Sequence, residues 1–77
     1  MARMILDDEL SRWEAFATTG EYGFPDHARV VFRCVSDPRV RARAHRLEGD
    51  KSDAEEVVVD RPDAELREML EKATELD

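Results

Sequence analysis

Among the side chains able to handle protons, metals or nucleophilic attack, this 77-residue chain holds one thiol, two imidazoles and nineteen carboxylates. Nucleophilic catalysis by Cys34 needs a base such as imidazole within hydrogen-bond reach. His27 precedes it by seven positions, which on one strand sets the two on opposite faces, and His45 belongs to a different stretch. The same three residues offer no metal site, because ligands come as paired Cys or His a few positions apart. Phosphate cradles need clustered glycines, whereas Gly20, Gly23 and Gly49 stand singly. Carboxylate pairs abound, but in so acidic a chain their abundance singles out none. The expectation is a protein that is not an enzyme and uses no cofactor or metal.

Charge then carries the functional reading. The formal net charge is −7, and it is unevenly spread. Residues 1–28 hold six acids and two bases, residues 29–47 one acid and six bases, and residues 48–77 twelve acids and four bases. A basic middle lies between two acidic ends. The flanks set the long-range field, which repels nucleic acid and membrane headgroups and attracts basic surfaces. Ten of the twelve bases are Arg, the residue that forks carboxylates and stacks on planar groups.

Hydrophobic spacing predicts the elements that must position these charges. Leu6, Leu10, Trp13 and Ala17 fall at helical spacing, predicting a helix over 7–18 capped by Asp7 or Asp8 and stopped by Gly20. Tyr22 and Phe24 follow in a turn-rich stretch and would seal an open end of the core. Strands are predicted over 27–35 and 39–47, joined at Ser36-Asp37-Pro38 as an antiparallel hairpin. The Phe32 face of the first strand is assigned to the core. On the second, Val40, Ala42 and Ala44 oppose Arg41, Arg43 and His45. A third strand over 55–60 would carry Glu56, Val58 and Asp60 beside Arg41 and Arg43. Last comes a helix over 62–76, capped by Asp60 with Asp63 as its capping-box acid, and burying Leu66, Met69, Leu70 and Ala73. Assembled, this is one α+β domain over 1–77 of order α-β-β-β-α, a three-stranded antiparallel sheet with two helices packed on one face. A lone cysteine and no apolar leader predict a cytoplasmic protein without a membrane segment.

On that scaffold Glu68, Glu71 and Glu75 share the outer side of the last helix. Asp63 stands near its start, and Asp50, Asp53, Glu55 and Glu56 lie before and within the third strand. Together they are the candidate partner-binding surface, an array of carboxylates standing in for phosphates before a basic groove. In size, acidity and mixed architecture the whole chain resembles the small anti-CRISPR and anti-restriction inhibitors of phages, though no motif is shared. That resemblance implies binding to a nucleic-acid-handling complex, such as a type I CRISPR interference complex, so that target DNA is not engaged, without any cofactor. The partner expected is thus a basic nucleic-acid-binding protein, with no direct nucleic acid.

Two alternatives come from the sheet. Arg29, Arg33, Arg41, Arg43 and His45 on an open face would suit a nucleic-acid- or protein-binding module. Against nucleic acid, that face offers Val31, Val35 and Val58 instead of stacking aromatics, and acids from the third strand lie close by. The other alternative is a salt-adapted small domain pairing with a second copy through those valines.

Overall fold

The computed structural model describes residues 2–18 and 28–76. Five strands come in chain order across one antiparallel sheet: β1 (Ala2–Leu6), β2 (Arg12–Thr18), β3 (Arg29–Cys34), β4 (Arg43–Arg46) and β5 (Thr74–Glu75). Helices α1 (Lys51–Asp60) and α2 (Asp63–Lys72) are inserted between β4 and β5. The class is α+β with two helices, but the sheet has five strands rather than three and the strands lead the chain.

The stretch 7–18 is not a helix. Trp13 and Ala15 are buried and Ala17 packs on the core, while Arg12, Glu14, Phe16 and Thr18 alternate with them. That period of two lets β2 pair with β1 on one side and β3 on the other. Asp7 organises the β1–β2 turn instead of capping a helix. Its carboxylate accepts the amides of Glu9 (2.9 Å) and Ser11 (2.8 Å) and the indole Nε1–H of Trp13 (2.9 Å). Leu10, expected in an apolar stripe, is 76 % exposed and sits at φ 64°. Gly20, Tyr22, Phe24 and His27 lie outside the described residues.

Expectation and structure agree best on β3. Val30, Phe32 and Cys34 turn inward, and Phe32 and Val30 are fully buried. Directly opposed residues of an antiparallel pair share a face, and the β3–β4 register matches Phe32 with Arg43, Val30 with His45 and Val31 with Ala44. The strand expected over 39–47 is confined to Arg43–Arg46, residues 38–40 belonging to the turn after β3, and its faces are reversed from expectation. Arg43 and His45 stand on the helix side and Ala44 on the open side. Arg43 reaches over Trp13, 5.4 Å from the ring centroid, and donates to the Leu70 carbonyl at 3.4 Å.

Three successive valines suggest a strand over 55–60, yet this stretch is helical. Asp50 caps α1 by accepting the Asp53 amide (3.0 Å), and the Asp53 carboxylate accepts the Asp50 amide in return (3.1 Å). Gly49, at φ 126°, precedes the cap, and a Cβ there would collide with the Asp53 carboxylate. Ala54 and Val58, four apart, go under the helix against the sheet, so Val58 is buried and not on an open face. Pro62 requires an extended residue before it, and Arg61 at ψ 142° ends α1.

Leu66 and Leu70 bury α2 as the stripe predicts, with Met69 and Ala73 packed beside them. Its start and finish differ from expectation. Asp60 is the last residue of α1, and no side chain caps α2. The helix ends at Lys72, and Thr74 and Glu75 pair with Ala44 and Arg43 as β5.

Arg3 fastens the two layers. From the helix-facing side of β1 its guanidinium donates to the Val58 carbonyl (3.3 Å), the Val59 carbonyl (3.5 Å), the Arg61 carbonyl and the Asp63 carboxylate. These carbonyls are the free acceptors at the C-terminal end of α1, where a cation also meets the negative end of the helix dipole.

Candidate functional site

Both helices cover the Trp13–Phe32 face of the sheet, and among the described residues no element covers the other. Register places its side chains in rows across the strands. One row is Ala2, Phe16, Val31, Ala44 and Thr74. On one side of it lie Thr18, Arg29 and Arg46. On the other lie Met4, Glu14 and Arg33, and beyond them Leu6 and Arg12, with Val35 hydrogen-bonded to Arg12 through the backbone at 2.8 Å. Neighbouring rows are two residues apart, about 7 Å at strand rise. Met4 (50 %), Leu6 (44 %) and Val35 (41 %) are exposed for their size.

Among the described residues, four arginines thus share this face with a single carboxylate. Arg33 spends its charge on Glu14 at 3.1 Å. Arg29 and Arg46 stand directly opposite each other, both exposed, and among the described residues neither has an acidic partner. Opposed residues hold Cβ atoms about 4.5–5.5 Å apart, so like charges there are destabilising. A free anion bridging the two guanidinium groups would turn that repulsion into attraction.

The eight carboxylates singled out in sequence do not form one array. Asp50 and Asp53 are engaged in the α1 cap. Glu55 pairs with Lys51 (4.0 Å), Glu68 with Lys72 (3.3 Å), and Asp63 with Arg3. Glu56 lines a shallow cleft with Asp53, Asp60 and Arg61. Glu71 lines another with Asp7, Asp8, Arg43 and Arg67. Glu75 has left the helix and faces Arg43 across the β4–β5 ladder, so it does not share a helix side with Glu68 and Glu71. Among the described residues there is no grouping of three His, Cys, Asp or Glu able to hold a metal, and no helix long and apolar enough to cross a membrane. No family model, curated protein or solved structure matches this chain.

Two carboxyls are held below their ordinary range. Burial pushes Asp7 up, but the Trp13 indole, the Ser11 and Glu9 amides and the Arg43 charge together outweigh it. Asp37 is lowered by hydrogen bonds from the Arg39 side chain and amide. Both groups organise turns. Neither lies among the residues of the open face, and Cys34, buried on the helix side, has Ser36 Oγ as its polar neighbour at 3.7 Å.

Sequence reasoning missed Phe16, Arg12 and Arg46 as parts of one surface. The signal was present in the alternation of Trp13, Ala15 and Ala17 with Arg12, Glu14, Phe16 and Thr18, which puts Phe16 opposite the buried side.

Proposed function

We propose that the protein is a binding module without chemistry of its own, which docks a polyanionic macromolecule on the open face of its sheet. The observation that carries this reading is Arg29 directly opposite Arg46, exposed and without acidic partners among the described residues, beside a row in which Phe16 is part exposed and Val31 is buried. The helices lie on the far side, so their outer carboxylates sit about a helix diameter, 10–12 Å, beyond the sheet. At physiological salt, with a Debye length of about 8 Å, that distance weakens their effect on the patch. Binding of labelled heparin, used as a generic polyanion, tests the reading. The Arg29→Ala/Arg46→Ala double variant should bind at least about tenfold more weakly at low salt, since each contact is a charge-assisted pair. Equal binding by both proteins would remove the sheet face from consideration.

A second reading keeps the acidic layer as the contact, with a basic nucleic-acid-binding protein such as a CRISPR effector as partner. Glu56, Asp60 and Glu71 favour it, being exposed on the helices and without an ion partner among the described residues. It ranks second because Asp63, Glu55 and Glu68 are already offset by Arg3, Lys51 and Lys72.

A further inference from the structure

We infer that the polyanion taken on the open face is a single-stranded nucleic acid, with a base stacked on Phe16 and its backbone held by Arg29, Arg46 and Arg12. This rests on the sheet-face reading and names its ligand. Two objections raised from the sequence do not survive the fold. The face has an aromatic ring after all, because residues 12–18 are a strand and Phe16 points away from the core. The acids assigned to a neighbouring strand, Glu56 and Asp60, belong to a helix on the far side.

The row around Phe16 suits a base better than it suits a carboxylate. Its cross-strand neighbours are Ala2 and Val31, with Ala44 next; Val31 is buried, so the accessible surface around the ring comes from Ala2 and Ala44. Phe16 is only partly buried. A planar base laid on this row would contact the ring and the short aliphatic groups together, whatever its identity. Charge is placed to either side: Arg29 and Arg46 one row away, Arg33 one row away on the other side, and Arg12 beyond it. Arg33 is paired with Glu14, so the backbone contacts are Arg29 and Arg46 at one end and Arg12 three rows away, about 21 Å at strand rise, a span of several nucleotides with the stacked base between them. Only unpaired bases can present a face to the ring, so a duplex is the poorer ligand. An acidic peptide would satisfy the arginines but leave the Phe16 row without a planar partner.

Fluorescence anisotropy with labelled oligo-dT and oligo-rU of about twelve nucleotides, within the usual site size, decides the matter. Poly-glutamate and a duplex of the same length serve as competing probes. With Arg29, Arg46 and Arg12 each neutralising one phosphate, log affinity should fall with log salt at a slope of about −2, from roughly 0.7 per contact on a single strand. Arg46→Gln should reduce that slope by about 0.7, and Phe16→Leu should weaken binding about tenfold without changing it. Arg46 is exposed, so its variant keeps the test valid if Phe16→Leu perturbs folding. Poly-glutamate binding without oligonucleotide binding would overturn the nucleic-acid assignment and leave polyanion docking standing. A duplex bound as tightly as the single strands would also overturn it. Failure of every probe at about 50 mM salt, where such contacts are strong, would sink both.

Discussion

Replacing Arg3 with alanine should be among the most damaging surface changes available to this protein. The side chain is 29 % exposed, and its guanidinium bonds three carbonyls at the end of α1 and the Asp63 carboxylate. Hydrogen bonds to a charged group contribute about 1.5–3 kcal/mol when well formed. The contacts to Val58 and Val59, at 3.3 and 3.5 Å, are long, and one Nη with two hydrogens serves all three carbonyls, so about 1.5 kcal/mol is assigned to the whole carbonyl set. Asp63 is 57 % exposed, which reduces the ion pair to about 0.5 kcal/mol. The loss on Arg3→Ala is then about 2 kcal/mol, or a fall in Tm of about 8–16 °C for a domain of this size. Thermal melts followed by far-UV circular dichroism and Trp13 fluorescence measure it. Asp63→Asn removes only the ion pair and should lower Tm by about 2–4 °C, a difference that molar salt erases. Most of the Arg3→Ala effect should persist in salt. If the two variants melt together, or Arg3→Ala melts within about 2 °C of the parent, the carbonyl clamp does not stabilise the fold.

Two further expectations follow from local hydrogen bonding. Because the folded Asp7 carboxyl titrates below its unfolded value, its contribution is complete above the unfolded pKa of about 3.9 and disappears as pH falls through the folded one. Urea midpoints of the parent and Asp7→Asn should therefore differ at pH 7 and draw together only as pH falls below the unfolded value and through the lower folded one; a gap independent of pH contradicts the assignment. Asp50→Ala removes the side-chain cap of α1 and should cost about 1 kcal/mol, with faster amide exchange confined to its first turn. Unchanged exchange at Asp53 would mean the reciprocal pair is not formed in solution.

What the sequence made legible was the part in which local and non-local forces agree. Around Phe32 both faces of the strand carried valines, and the absence of charge on the Phe32 face chose between them; that choice and the Leu66–Leu70 stripe both hold. The stretch 7–18 had two readings. Leu6, Leu10, Trp13 and Ala17 match a helix, whereas Trp13, Ala15 and Ala17 match a strand. Pairing with β1 and β3, invisible locally, decides for the strand. Over 55–60 the β-branched run Val57-Val58-Val59 argued for a strand. The reciprocal Asp50–Asp53 cap and the burial of Ala54 with Val58 outweigh it, leaving Val59 52 % exposed on the helix surface. These two exchanges account for the changed site as well. With 12–18 read as helical, Phe16 could not join the arginines of β3, and with 55–60 read as a strand, Glu56 and Asp60 were set beside them.

Cys34 gives the molecule a built-in gauge of its own opening. It is the sole sulfhydryl, 6 % exposed on the helix-covered side of β3 and lining a cleft it shares with Trp13, Arg43 and Leu70, so an alkylating reagent has one target and a narrow route to it. Reagents react with the thiolate of an accessible cysteine, and access here depends on excursions that lift the cover. The pace of modification therefore reports how often that cover parts, in unmodified protein and without an added probe.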